Sequence, residues 1–141
     1  MARRDASALF GEEHIRQYQE TDGEYGHDWR GGSSTLLLST TGRRSGEPRI
    51  APLIYGRSAD DYLIVASNGG ADAPPTWYLN LEQQPEVEVQ VLADRFRARA
   101  RDATLQERPE MWPEMVSHWP AYDEYQAKTE REIPIVVLER L

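Results

Sequence analysis

Two stretches of strict apolar–polar alternation, residues 86–92 and 95–101, constrain the fold of this chain more than any other feature. A period of two residues is typical of a β-strand that packs one face on a core, and two such runs separated by a short turn predict a hairpin. The apolar face of this hairpin carries Val87, Val89, Val91, Phe96, Ala98 and Ala100.

The hairpin also predicts the role of a series of arginines. With Ala93-Asp94 as a two-residue turn, Val91 lies opposite Phe96. The polar pairs then place Gln90, Glu88 and Glu86 opposite Arg97, Arg99 and Arg101. Because opposite charges on facing strands stabilise each other, we interpret this series as a salt-bridged, solvated face and not as a binding surface.

The remaining pattern predicts an α+β fold. Further strands are predicted at residues 35–40, 48–56, 61–67 and 133–139, with a turn at 57–60. Short helices are predicted at residues 7–19 and 76–82 and on either side of Pro120, with a loop at 22–34. About six mostly antiparallel strands without a βαβ repeat indicate a small barrel. The 141 residues are expected to form one domain, in which residues 1–34 supply an N-terminal helix and loop.

The composition excludes several classes of function. A formal net charge of -8 repels nucleic acid, so no nucleic-acid partner is predicted. The absence of cysteine excludes disulfides, thiolate metal ligands and a cysteine nucleophile. His14, His27 and His118 lack a two-histidine metal spacing, and no metal site is predicted. Without a run of about 18 apolar residues or an apolar N-terminal segment, the chain is expected to be cytoplasmic and without stable membrane insertion.

The turn between the first two of these further strands reverses the sign of the local charge. Residues 42–57 contain one acid, Glu47, and four arginines, namely Arg43, Arg44, Arg49 and Arg57. Guanidinium groups beside two glycines and the Ser45 hydroxyl favour a phosphate or carboxylate site. The other interpretation is a polar hairpin turn with solvated arginines. The motif matches neither a Walker loop nor a dinucleotide fingerprint, so on its own it does not choose between them.

Four segments together resemble the deazaflavin-dependent nitroreductase family of actinobacteria. They are residues 39–49, 52–55, 63–70 and 75–81, and the resemblance covers nearly the whole chain beyond residue 30. It implies a split β-barrel related to flavin-mononucleotide-binding oxidoreductases. It also implies an enzyme that transfers a hydride from reduced coenzyme F420 to a quinone or other planar conjugated acceptor, with nitroaromatics as adventitious substrates.

The resemblance also implies the cofactor-binding residues. Arg44 and Arg49 would hold the coenzyme's phosphate, assisted by Arg43, Ser45 and backbone amides. Residues at the positions that line the deazaflavin ring and its ribityl chain are Pro52, Ile54, Ser67, Asn68, Pro75, Thr76 and Trp77. Relatives commonly carry lysine where this chain has Asn68. The absence of that positive charge is expected to weaken coenzyme binding or to change how the charge of the ring is stabilised.

Tyr122 and Tyr125 match the aromatic pair that, in this family, closes over the acceptor side of the ring. There a phenol can orient a substrate oxygen or supply a proton. From their spacing alone, two tyrosines three residues apart on a helix are more readily interpreted as an ordinary packing pair. In the same way, Tyr25 and Trp29 in the 22–34 loop either cover a pocket or fill a gap.

Two other functions are compatible with the sequence. One is a related barrel that uses flavin mononucleotide, and the other is a non-catalytic protein that carries a deazaflavin. The natural acceptor and the choice between monomer and homodimer stay open.

Overall fold

The computed structural model describes residues 3–141, in which nine strands and four α-helices follow one another. In chain order they are β1 (Arg4–Asp5), α1 (Gly11–Thr21), β2 (Tyr25–Asp28), β3 (Thr35–Thr41), β4 (Pro48–Ile54), β5 (Gly56–Ser58), β6 (Asp61–Val65), α2 (Thr76–Gln83), β7 (Glu86–Val91), β8 (Asp94–Asp102), α3 (Arg108–His118), α4 (Ala121–Ala127) and β9 (Ile135–Arg140).

Seven of these strands form one antiparallel sheet that is curled into a split barrel. Their order is β4-β3-β7-β8-β9-β6-β5, so β4 and β5 are the two edges. Only Tyr55 separates these edge strands in sequence. The sheet must therefore curl until its edges meet, although no hydrogen-bonded ladder joins them. The predicted α+β split barrel is confirmed.

The core lies on both faces of β6 and β9. Inside the barrel, Ile64 and Leu138 pack with Leu36 and with the apolar face of the β7–β8 hairpin. On the outside, Leu63 and Val137 pack with residues of α3 and α4. Strands buried on both faces have no polar side to alternate with, which explains the continuous apolar run of β9.

The β7–β8 hairpin has its predicted faces but a different register. Val91 pairs with Asp94 and Val89 with Phe96, so the turn is Leu92-Ala93 and not Ala93-Asp94. A shift of two residues leaves every side chain on its face. Asp94 lies in β8, where both of its carboxylate oxygens accept hydrogen bonds from Arg140 of β9, each at 2.9 Å.

Two of the three arginines predicted to be salt-bridged pair with carboxylates, although not with the predicted partners, while Arg99 has no ion pair in the described residues. Arg97 pairs with Glu86, and Arg101 pairs with Glu107 at 2.7 Å and with Glu139 at 3.3 Å. Two of these three acids lie outside the hairpin, so cross-strand register could not identify them.

The segment before the barrel is more ordered than the predicted helix and loop. The helix begins at Gly11, and β2 lies inside the segment 22–34 that the sequence predicts as a loop. Tyr18 fixes this region to the barrel, because its buried hydroxyl donates to Thr35 O at 2.9 Å and accepts from Leu92 N at 2.9 Å. The predicted turn at 57–60 is also shorter, since Gly56–Ser58 forms β5.

No helix in the described range is long and apolar enough to cross a membrane. The same range contains no cluster of three or more histidine or acidic side chains that could hold a metal ion.

Candidate functional site

Two clefts meet at the first turn of α2. The arginine cleft, of about 320 Å³, is lined by Gly42, Arg43, Arg44, Ser45, Arg49, Thr76 and Asn80. The aromatic cleft, of about 340 Å³, is lined by Trp29, Pro52, Leu53, Ile54, Val65, Ser67, Asn68, Gly69, Pro75, Trp77, Trp119, Tyr122 and Tyr125. Thr76 lines one cleft while its neighbours Pro75 and Trp77 line the other, so the two are continuous along the chain.

The arginine cleft is built on the tight turn between β3 and β4. The two strands pair as far as Thr41 and Pro48, and the chain reverses over the six residues between them. Gly42 N donates to Glu47 O, and Gly46 N donates to Gly42 O, both at 2.8 Å. Gly46 has a φ of +74°, and a Cβ added to Gly42 would lie 2.7 Å from Ser45 Oγ. Both positions therefore require glycine.

Asn80 of α2 fixes the orientation of this turn. Its side chain is 1% exposed, its Oδ1 accepts from Arg43 N at 3.1 Å, and its Nδ2 donates to Thr40 Oγ1 at 3.1 Å. A buried amide between a helix and a turn holds the two elements in one arrangement, because breaking either bond would leave a buried polar group unpaired. Sequence reasoning missed Asn80, although a polar residue beside the buried Leu81 was a usable signal.

The cations of the arginine cleft are available to a ligand. Within residues 3–141, neither Arg43 nor Arg44 has a carboxylate within ion-pair distance. Arg49 has Glu47 at 3.6 Å and a weak hydrogen bond to Ser45 Oγ at 3.4 Å. In β8, by contrast, Arg95, Arg97 and Arg101 each pair with an acid, and of its arginines Arg99 has no such partner in the described residues. This difference favours the anion-site interpretation of the turn over a polar hairpin end.

One wall of the aromatic cleft is formed by a strand edge and a turn, and the other carries residues of α4. Pro52 and Ile54 come from the free edge of β4, and Ser67 to Gly69 form the turn after β6. Opposite them, Tyr122 and Tyr125 lie on α4 with ring centroids 6.1 Å apart and planes at 72°. The result is a largely apolar slot lined by aromatic rings.

Tyr122 presents a hydroxyl to this slot. The residue is 6% exposed, and burial, with a smaller contribution from nearby Tyr125, raises the pKa of its phenol. The phenol therefore keeps its proton at neutral pH. Its oxygen contacts no partner in the described part of the chain and is not sealed from the cleft. The Tyr125 hydroxyl accepts a long hydrogen bond from Trp119 Nε1 at 3.4 Å, which leaves its own proton free to donate.

Trp29 covers this pocket, while Tyr25 does not. Trp29 stacks on Trp119 with centroids 5.8 Å apart and planes at 25°, and its Nε1 donates to Leu9 O at 2.9 Å. Tyr25 instead lies under the Arg4 guanidinium, 3.8 Å from its ring centroid. Trp119, which follows the last residue of α3, packs partly on the core and also lines the aromatic cleft.

Every residue predicted for the site lines one of the two clefts. Arg43, Arg44, Ser45, Arg49 and Thr76 lie in the arginine cleft, and Pro52, Ile54, Ser67, Asn68, Pro75, Trp77, Tyr122 and Tyr125 lie in the aromatic cleft. The residues that sequence reasoning did not place at the site are Trp29, Gly42, Leu53, Val65, Gly69, Asn80 and Trp119.

Comparison with known proteins identifies the family. A family model described as F420H(2)-dependent quinone reductase matches residues 11–140. An F420H(2)-dependent quinone reductase of Mycobacterium tuberculosis is 40% identical over 135 residues, which is 90% of this chain and 87% of that protein. A solved F420-H2 dependent reductase, FDR-A, superposes with a TM-score of 0.69 at 38% identity and covers 74% of this chain and 93% of its own.

A second solved structure, described as a domain-swapped dimer, superposes with a TM-score of 0.72 at 35% identity and covers 89% of this chain and 96% of its own. The range matched by the family model, residues 11–140, includes both clefts and every strand of the barrel. This chain belongs to the F420H(2)-dependent quinone reductase family.

Proposed function

We propose that this chain transfers a hydride from reduced F420 to a quinone. The observation that carries the proposal is that a cleft rich in free cations and an aromatic cleft meet at Thr76. Such a site suits a molecule that joins a planar ring to an anionic chain. F420 is such a molecule, since its deazaflavin ring continues into a phosphodiester, a lactyl carboxylate and an oligoglutamate tail.

The arginine cleft would hold the anionic part. Arg44 and Arg49 would bind the phosphate, and Arg43 and Ser45 would assist. Guanidinium groups suit phosphate oxygens because they donate two parallel hydrogen bonds. With a net charge of -8, the protein offers an anionic coenzyme few other places to bind.

The aromatic cleft would hold the ring and the acceptor together. Pro52, Ile54, Ser67, Asn68, Pro75, Thr76 and Trp77 would contact the deazaflavin and its ribityl chain. When bound, the reduced coenzyme supplies the hydride, and the protein supplies orientation and a site from which water is excluded. The stacked Trp29 and Trp119 would form the apolar surface against which a flat acceptor lies.

Tyr122 would stabilise the negative charge on the quinone oxygen, while the proton that completes the quinol comes from solvent. Forming a quinol from a quinone requires a hydride and a proton. A phenol that stays protonated and points into the cleft can donate a hydrogen bond to the quinone oxygen as negative charge develops there. Tyr125 would orient the same oxygen.

A binding titration followed by a turnover assay tests this function. F420 should quench tryptophan fluorescence, because Trp29, Trp77 and Trp119 line the site, and F420H2 should be oxidised when a quinone is added. A preference for flavin mononucleotide over F420 would contradict the proposal. Binding of F420 without oxidation by any member of a quinone panel would instead identify a carrier protein.

We also propose that residues 1–141 fold as one domain, because Tyr18 bonds the N-terminal helix to β3 and to the β7–β8 turn. A relative described as a domain-swapped dimer makes the oligomeric state a separate question. Light scattering after size exclusion distinguishes a monomer from a homodimer.

A further inference from the structure

The turn that forms one wall of the aromatic cleft has an unusual backbone. Asn68, Gly69 and Gly70 all have positive φ, at +47°, +65° and +85°. Of residues with a side chain, asparagine is among those that adopt the left-handed conformation most readily, and Asn68 adopts it in the middle of this wall. Two backbone hydrogen bonds close the turn, from Gly70 N to Ser67 O at 2.9 Å and from Ala71 N to Asn68 O at 3.1 Å.

The guanidinium of Arg131 holds both ends of this turn. Nε donates to Ala71 O at 2.9 Å, Nη2 donates to Ser67 O at 2.9 Å, and both Nη atoms donate to Ala66 O at 3.3 Å. Within residues 3–141 this arginine has no carboxylate at ion-pair distance, so its donors are committed to backbone carbonyls. A planar fork of five donors can span three carbonyls in this way, whereas an ammonium group cannot.

The backbone of Arg131 is in turn bonded to the helix that carries the two tyrosines. Gln126 of α4 donates from Nε2 to Arg131 O at 2.8 Å, and its Oε1 accepts from Ile133 N at 2.9 Å. Gly70 lies directly against Tyr125, where an added Cβ would be 2.7 Å from the Tyr125 carbonyl oxygen. The turn and α4 are therefore held against each other at close contact.

We infer that Arg131 is a positioning residue that sets the separation between the Ser67–Gly70 wall of the aromatic cleft and Tyr122 and Tyr125. Arg131 does not itself line that cleft, so it acts through the turn and not on a ligand. Its consequence for catalysis rests on the proposed function. A ring bound between these walls would lose its alignment with the tyrosines if the turn relaxed.

The test compares Arg131→Ala and Arg131→Lys with Arg16→Ala, a control that removes an exposed arginine from α1, remote from both clefts in its contacts. Hydrogen–deuterium exchange at the amides of Gly70 and Ala71 reports the turn without any ligand. We expect exchange in Arg131→Ala to be faster by about tenfold or more, as expected for the loss of one charge-assisted hydrogen bond, with a smaller increase in Arg131→Lys. The control should exchange like the wild type.

Activity supplies the second measurement. In Arg131→Ala, kcat with a quinone should fall by about tenfold or more, and guanidinium ion, added far below denaturing concentrations, should restore part of it. A generally destabilised protein would not recover in this way. Unchanged exchange at Gly70 and Ala71 would overturn the inference, and so would faster exchange with wild-type kcat and F420 affinity.

The two proposals can fail separately. A wild-type protein that oxidises no F420H2 refutes the proposed function, while the exchange measurement still decides whether Arg131 orders the turn. If Arg131→Ala does not fold, amide exchange and kcat are measured on Arg131→Lys instead, and the same outcomes support or overturn the inference.

Discussion

Replacing Arg44 with alanine separates the arginine cleft from the rest of the surface. Arg44 is exposed and has no acidic partner in residues 3–141, so its loss should change the free energy of unfolding by less than about 0.5 kcal/mol. Its effect on binding should be much larger. A hydrogen bond between a charged donor and a phosphate contributes about 1.5–3 kcal/mol, which corresponds to roughly 10- to 150-fold in Kd.

Because Arg44 is open to solvent, we expect the lower end of that range, an increase of about tenfold in the Kd for F420. The matched control is Arg16→Ala, which removes the same charge from a helix where Glu13 and Glu20 pair with it. Any long-range effect of net charge is common to both variants. The control should therefore change Kd by less than about twofold.

Tryptophan fluorescence quenching, measured at several salt concentrations, provides the assay. Salt should weaken F420 binding by the wild type, and the dependence should be shallower for Arg44→Ala because one screened contact has gone. If Arg44→Ala binds F420 as tightly as the wild type, or if Arg16→Ala loses as much affinity, the arginine cleft does not hold the coenzyme's anion.

Three further predictions follow from other parts of the structure. Tyr122→Phe keeps the ring but removes the hydroxyl, so kcat with a quinone should fall about 10- to 100-fold while the Kd for F420 stays within about twofold; an unchanged kcat contradicts the role of the phenol. Asn80→Ala leaves a partly buried backbone amide and a buried threonine hydroxyl unpaired, so the protein should lose about 1–3 kcal/mol of stability and melt roughly 3–10 °C lower in a thermal scan. Hydrogen bonds from Arg101 lower the pKa of Glu107 to about 2, from an ordinary 4.5, so this carboxylate stabilises the fold above pH 4.5 and loses that contribution as the pH falls towards 2. Glu107→Gln should lower the Tm at pH 7, and its Tm should fall less steeply than that of the wild type as the pH drops from 4.5 to 2. Parallel curves of Tm against pH for the variant and the wild type would refute this.

The sequence predicted the faces of the strands better than their partners. Alternation in residues 86–101 identified which side chains face the core, because burial depends on side-chain period alone. The register could not be read from the same pattern, because a shift of two residues leaves every side chain on its face.

The site shows the same division. The arginines and tyrosines could be predicted because their positions match those of a recognisable family. Trp119 and Asn80 were not predicted, since the apolar pattern around each indicates packing alone. What brings Asn80 to the arginine cleft is the packing of α2 against the β3–β4 turn, which depends on tertiary contacts such as the bond from Arg43 N to Asn80.

The position of β9 between β8 and β6 has a consequence for how the barrel assembles. The β3–β4, β5–β6 and β7–β8 hairpins can each form from neighbouring segments, and β3 pairs with β7, but in the described sheet only β9 joins β8 to β6. β9 follows every other strand in the chain, so during synthesis β6 and β8 would wait with unpaired edges until it emerges. Barrel closure, and with it the alignment of the two clefts, is then a late and long-range event, which places this protein among the slower-folding topologies.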